Sequence, residues 1–393
     1  MVFYDDVVKK GSEVNREDRK FYVPKGDDVF MLSYTSGTTG NPKGVKLTHK
    51  MLLGAANGVQ HRSRIDENDS YLSYLPAAHV FEQVTFSISL VYGMKVGFYS
   101  GNVMNVTKDL AVLKPTIFLS VPRLLNSVYG KINDKLSKAK GIKKKIIDRG
   151  LASKERKLKE GKPLGNRFFD ALVFDKIKEL FGGRVRIVLS GSAPISNEVL
   201  SFLKICFDCD ILQGYGLTES SGGTVMTALG DPSLGSIGGP VQNVKIKLRD
   251  VPEMGYSHTN EVPSGELCIW SPSVLPGYFK NPEKTQEAKI DGWLLSGDIV
   301  TVSPNGAITI VDRLKNIFKL SQGEYIAPEK LENVYIQSEY IQQIWIHGDS
   351  MKDWAVAFVV VDTDKAKEYA EANKQPFKID ELLSDKAFVS TVQ

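Results

Sequence analysis

Apolar and polar positions along the 393-residue chain follow two periods. Short apolar runs at 29–34, 70–75, 95–98, 116–120, 185–190 and 209–212 read as strands, the first of them as a buried one. Between them, apolar residues recur at helical spacing from Thr48, a predicted N-cap, to Gln60, and over 80–91, 122–139 and 166–181. Strands alternating with helices predict an α/β protein: a mostly parallel, doubly wound sheet with helices on both faces. From Val244 the style changes. Runs at 244–248, 265–270, 299–302 and 307–311, separated by Gly, Pro and Asn turns, predict a small β-rich subdomain. Beyond Asp312-Arg313-Leu314-Lys315, a helix at 328–337, strands at 341–347 and 354–361 and a helical tail predict an incomplete α+β domain. The expected divisions are 1–243, 244–312 and 313–393.

Composition narrows the class. With 42% hydrophobic and 24% charged residues, the chain is neither disordered, collagen-like nor a coiled coil. The length exceeds one ordinary core and predicts two or more domains. Three cysteines, Cys206, Cys209 and Cys268, fit a reducing, intracellular compartment better than a secreted scaffold, and they lack the count for a four-ligand zinc site. The most apolar stretch, 84–99, is interrupted by Gly93 and Lys95, so no membrane-spanning helix is expected. The first six residues lack the basic-then-apolar order of a signal peptide.

The net charge of +4 is uneven. Residues 131–160 hold twelve Lys/Arg and four acids, a local +8 against −4 for the remainder. This segment reads either as a solvated, Lys-rich helical insert or as a surface for an anionic partner, a lipid headgroup layer or a polyphosphate.

The densest chemistry is in Thr35-Ser36-Gly37-Thr38-Thr39-Gly40-Asn41-Pro42-Lys43-Gly44, read as lying between a strand and a helix. Glycines bring backbone N–H groups close to an anion, hydroxyls donate to phosphate oxygens, and Lys43 adds positive charge. A polyphosphate cradle is expected. It is not a Walker A loop, since Pro42 and Val45 stand where that motif needs its second glycine. No G-x-G-x-x-G follows the first strand, which excludes a Rossmann dehydrogenase.

The ten-residue segment resembles the phosphate loop of the adenylate-forming (AMP-binding) enzymes, which include acyl-CoA synthetases, luciferases and peptide-synthetase adenylation domains. The rest of the chain repeats that family's motifs in order. In Tyr74–Glu82, His79 carries over as the residue near the reacting carboxylate. Gly191, Ser192 and Ala193 carry over as small residues lining the adenine site. Gln213-Gly214-Tyr215-Gly216-Leu217-Thr218-Glu219 matches the Y-G-x-T-E motif. There Tyr215 offers an aromatic face to adenine, Thr218 a hydroxyl to phosphate, and Glu219 a carboxylate suited to Mg²⁺. Asp298, in Trp293–Asp298, carries over as the ribose ligand and Arg313 as a ribose and phosphate contact. Lys315 carries over as the hinge, and Gly323-Glu324-Tyr325-Ile326 matches the small-domain loop of the thioester step.

Within the family, the basic insert, the segment 166–186 and the opening 7–26 look like eukaryotic long-chain acyl-CoA synthetases. The resemblance implies ATP, Mg²⁺, coenzyme A and a long-chain fatty acid as ligands, and no nucleic acid. It also implies location on endoplasmic reticulum, mitochondrial or peroxisomal membranes, with peripheral contact through 131–160. Alternatives are an acyl-AMP ligase that delivers to a carrier protein, and a non-catalytic nucleotide- or lipid-binding remnant. The family pattern further has a large portion before Val7 and a late lysine near the α-phosphate. This reading expects a chain truncated at both ends that adenylates poorly or not at all by itself.

Overall fold

The computed structural model describes residues 4–14, 22–35, 41–322 and 324–392. The polar opening contains a helix, α1 (Tyr4–Glu13), that buries no residue. Strands β1 (Val29–Thr35) and β2 (Lys43–Thr48) then form an antiparallel hairpin, with Thr35 opposite Lys43. Two expectations change here. The phosphate loop joins two strands rather than a strand and a helix. Within β2, Gly44, Val45, Leu47 and Thr48 are buried and only Lys43 and Lys46 are partly exposed, so no period-2 pattern marks the strand in the sequence. The run 29–34 is also not a buried strand. The hairpin lies outside the main sheet, so Val29, Phe30 and Tyr34 are exposed. The helix α2 (His49–Ser63) starts where expected, with Thr48 Oγ1 accepting the Met51 N–H at 3.3 Å.

The main sheet follows from β3 (Ser70–Ser73), α3 (Val80–Tyr92), β4 (Lys95–Phe98), α4 (Val106–Leu113), β5 (Ile117–Ser120), α5 (Pro122–Ser137) and α6 (Gly141–Lys159). After a broken helical stretch with α7 (Arg167–Phe169) and α8 (Asp175–Lys178) come β6 (Ile187–Ser190), α9 (Asn197–Phe207), β7 (Asp210–Tyr215), β8 (Val225–Met226) and β9 (Gly239–Pro240). The strand order is β4-β3-β5-β6-β7-β8-β9, parallel through β7 and antiparallel after it. Strand periodicity divides the core. Ile117, Leu119, Ile187 and Leu189 point to one face, packed with residues of α2 and α3. Phe118 and Val188 point to the other, packed with residues of α4, α5, α6 and α9. Each such side chain contributes about 1.5–3 kcal/mol by leaving water.

The helix expected at 166–181 is not continuous. α7 and α8 are separated by a π-helical turn, Asp170–Phe174, and a 3₁₀ turn, Glu179–Phe181, closes the stretch. The reason is a buried charge. Lys154 of α6 is 0% exposed and sits 2.6 Å from Asp170 Oδ1, 3.9 Å from Asp208 Oδ2 and 4.3 Å from the Phe174 ring centroid. The wider turn brings Asp170 and Phe174 to the same ammonium.

A second, antiparallel sheet comprises β10 (Lys245–Arg249), β11 (Ser264–Trp270), β12 (Lys289–Ile290), β13 (Trp293–Val302) and β14 (Ile308–Arg313), with α10 (Pro282–Glu287) before β12. Ile237 and Ile308 exchange backbone bonds across to Ile308 and Gly238 at 2.8 Å each, tying the two sheets together. The last part holds the hairpins β15 (Phe318–Lys319) with β16 (Tyr325–Ile326) and β17 (Ile341–His347) with β18 (Val356–Val361). Its helices are α11 (Pro328–Tyr335), α12 (Thr363–Ala372), α13 (Ile379–Leu382) and α14 (Lys386–Val392). Among the described residues no helix is long and apolar enough to cross a membrane.

Candidate active site

Of the predicted residues, His79, Gly191, Ser192, Gly214 and Gly216 lie together at the carboxyl-end side of the parallel strands. The strand order turns between β3 and β5, and ligands of doubly wound sheets bind beside such a switch point. A cleft opens at the ends of β6 and β7, closed on its other sides by residues of α2, α3 and β8. Its rim is His79 from the N-terminus of α3, Gly191 and Ser192 after β6, and Gly214 and Gly216 around the end of β7. Its wall is apolar, with Val59, Val84, Leu189 and Val241 among the lining side chains. Small residues are needed at the rim. A Cβ on Gly216 would lie 2.3 Å from the Gly222 carbonyl oxygen, and one on Gly191 3.3 Å from that of Gly214. Ser192 holds φ at 73°, a strained position at the cleft edge.

His79 caps α3, its Nδ1 accepting the Phe81 N–H at 3.2 Å. Nε2 then carries the ring proton and donates outward. His79 is exposed at the rim, and partial desolvation of its ring lowers the pKa, which favours the neutral imidazole. Ala193 follows Ser192 in the same bend. Gln213 lies at the site with its side chain turned away, Nε2 donating to the Ser236 carbonyl at 2.9 Å.

A second group lies where β7 meets the antiparallel sheet. The Tyr215 phenol donates to Asp298 Oδ2 at 2.5 Å, and Arg313 Nε stands 3.4 Å from Oδ1. Asp298 is 4% exposed, and burial raises its pKa. Tyr215 is buried as well, which pushes its phenol well above the ordinary range. The turn carrying Asp298 is braced from β11. Glu266 Oε1 accepts the Gly297 N–H at 2.9 Å, and Glu266 Oε2 is paired with Arg249. Glu266 escaped the sequence reading, although a carboxylate in the otherwise apolar β11 was its signal.

A third group centres on the loop's lysine. Lys43 Nζ donates to Tyr278 Oη at 3.5 Å, and Tyr278 Oη donates to Glu219 Oε1 at 2.8 Å. Thr218 and Glu219 lie in the 3₁₀ turn after β7, both half-buried. Thr35 ends β1 opposite Lys43. Ser36, Gly37, Thr38, Thr39 and Gly40 lie outside the described residues, as does Gly323. Lys315 occupies an exposed turn after β14 and is not brought into the cleft.

Among the described residues no group of three His, Cys, Asp or Glu side chains is placed to hold a metal. Glu219, with one oxygen taken by Tyr278, therefore fits a cation that draws its other ligands from phosphate and water, as Mg²⁺ does.

Residues 2–279 match the family described as AMP-binding enzyme, and the chain belongs to that family. It is 39% identical to fatty acyl-CoA synthetase B of Dictyostelium discoideum, over 99% of this chain and 58% of that protein. It is 43% identical to the peroxisomal long chain acyl-CoA synthetase 7 of Arabidopsis thaliana, over 95% of this chain and 53% of the relative. The chain thus spans little more than half the length of the curated relatives it matches. Among solved structures, the adenylation domain of a Mycobacterium chelonae carboxylate reductase is similar with a TM-score of 0.73 at 29% identity, covering 94% of this chain and 53% of that one. A Bacillus subtilis o-succinylbenzoate coenzyme A synthetase, solved with ATP and magnesium ion, shares the fold with a TM-score of 0.67 at 21% identity, covering 94% and 69%.

Proposed function

We propose that the chain forms the nucleotide- and acyl-binding part of a long-chain fatty-acid–CoA ligase. The observation that carries this reading is one cleft with a rim of glycines and His79 and a wall of aliphatic side chains. Such a site suits a ligand with a polar head and a long apolar tail. In the first step a carboxylate oxygen attacks the α-phosphate of ATP, the bond to the leaving pyrophosphate breaks, and acyl-AMP forms. Bound at Glu219, Mg²⁺ would neutralise phosphate charge. Lys43 and the loop hydroxyls hold the phosphates, with Thr218 beside them. Asp298 and Arg313 take the ribose hydroxyls. Gly191, Ser192 and Ala193, the segment 213–216 and Tyr215 make the adenine site. The neutral His79 directs its Nε2–H at the carboxylate. In the second step the thiol of coenzyme A attacks the acyl carbonyl and AMP leaves. Positioning and electrostatics carry both steps without a protein nucleophile.

We read the chain in three parts, 1–243, 244–312 and 313–393, with Lys315 as the pivot of the last. We also propose peripheral contact with an anionic membrane face through 131–160, within a reducing compartment. All four acids of that segment are already paired, Asp134 with Lys138, Asp148 with Lys144, Glu155 with Lys159 and Glu160 with Lys162. Lys131, Lys135, Lys140, Lys143, Lys145 and Arg149 remain exposed.

A second reading, delivery to a carrier protein, is favoured by similarity at 28% identity to a Segniliparus rugosus structure described as an A-PCP didomain with AMP. An assay of the whole enzyme containing this chain separates the two. Long-chain acyl-CoA formed from fatty acid, ATP and coenzyme A supports the ligase. Product formed only with a holo-carrier supports the alternative.

A further inference from the structure

Tyr278 stands between the loop lysine and the carboxylate of the Y-G-x-T-E segment. Its hydroxyl donates to Glu219 Oε1 at 2.8 Å, while Lys43 Nζ lies 3.5 Å from the same hydroxyl and 4.7 Å from the ring centroid. Main-chain bonds fix the strap that carries it. Phe279 N–H donates to the Gly44 carbonyl at 2.7 Å, and Leu275 N–H donates to the Glu219 carbonyl at 2.8 Å. Tyr278 N–H donates to Thr285 Oγ1 at 2.9 Å. The strap is thus tied to the hairpin on one side and to the 3₁₀ turn on the other, with the ring 5% exposed between them. A tyrosine phenol, with an ordinary pKa of about 10, is an O–H donor at neutral pH.

We propose that Tyr278 is a positioning residue that holds the Glu219 carboxylate in place and keeps the Lys43 ammonium from pairing with it. The inference rests on the reading that Lys43 and Glu219 serve Mg²⁺–ATP. An ammonium and a carboxylate this close collapse into a salt bridge when nothing separates them. The lysine is then lost to the phosphates and the carboxylate to the cation. A neutral phenol satisfies one carboxylate oxygen and leaves both charges for the ligand.

The test is a calorimetric titration of ATP into the 393-residue chain over a series of Mg²⁺ concentrations. It compares the wild type, Tyr278→Phe, Glu219→Gln and the double variant. Phenylalanine keeps the buried ring and its contact with Lys43, and a thermal melt checks the fold. Tyr278→Phe is expected to weaken Mg²⁺-dependent ATP binding about tenfold, and to add almost nothing in the Glu219→Gln background. If Tyr278→Phe does not fold, Thr285→Val, which loosens the strap, is expected to show a smaller loss that also vanishes with Glu219→Gln. Additive losses, with Glu219→Gln still impaired, overturn the coupling and leave the site reading standing. Wild-type binding in both Glu219→Gln and Lys43→Ala overturns the site reading and this inference with it.

Discussion

Tyr215 and Asp298, 83 residues apart in sequence, meet in a buried hydrogen bond of 2.5 Å from the phenol to Oδ2. The bond joins the end of the parallel sheet to the antiparallel one and orients the carboxylate proposed for the ribose. Tyr215→Phe removes the donor and leaves the ring. Urea unfolding is expected to show a loss of about 1.5–3 kcal/mol, the usual worth of a hydrogen bond to a charged group. Nucleotide affinity is expected to fall with it, as read by titration of AMP.

Lys154 links the basic insert to the core through Asp170. Lys154→Met takes away the nearest partner of that carboxylate and leaves it with Lys178, 3.8 Å from the same oxygen. Chemical denaturation is expected to show a loss of about 2–3 kcal/mol, partly recovered when Asp170→Leu is added, because a matched apolar pair avoids the desolvation cost while Lys178 keeps Asp208 as its partner.

Asp312 is fully buried, its Oδ1 accepting the Arg313 N–H and its Oδ2 the Glu329 N–H at the start of α11. Burial, with Glu329 and Glu332 near, pushes its carboxyl up to about 6. The folded state then binds this proton more tightly than the unfolded chain, whose ordinary value is 3.8. Asp312 therefore contributes full stability below about pH 4, and the contribution is lost as the pH rises to about 6. Comparing Asp312→Asn with the wild type by urea unfolding at pH 4, 5, 6 and 7 checks this. The wild type is expected to lose ground to the variant from pH 4 to 6, and the difference to stay level above that.

Much of this was legible in the sequence because short periodic runs signal strands strongly. Residues 95–98 and 341–347 match observed strands without adjustment. What failed depended on contacts distant in sequence. β2 is defined by its pairing with β1, and the break at Asp170 by a lysine one helix earlier. The site was legible in its motif residues, whose types declare their chemistry. Tyr278 and Glu266 were not, because each acts through a neighbour that only the fold supplies.

The exposed cations of the α5–α6 segment predict salt-sensitive binding to anionic vesicles. Reversing Lys140, Lys143 and Lys145 to Glu is expected to lower co-sedimentation with phosphatidylserine-containing vesicles by at least about tenfold. Equal binding to neutral and anionic vesicles would count against membrane contact through this surface.

The central claim, one cleft for nucleotide and long acyl chain, is tested most directly without turnover. Non-hydrolysable acyl-sulfamoyl adenosines of increasing chain length, from acetyl to palmitoyl, are titrated calorimetrically into the chain. The account predicts affinity that climbs with chain length, through burial of methylenes against Val84 and Val241, and that falls in Asp298→Ala at every length. Affinity independent of chain length, or unchanged in Asp298→Ala, would contradict it.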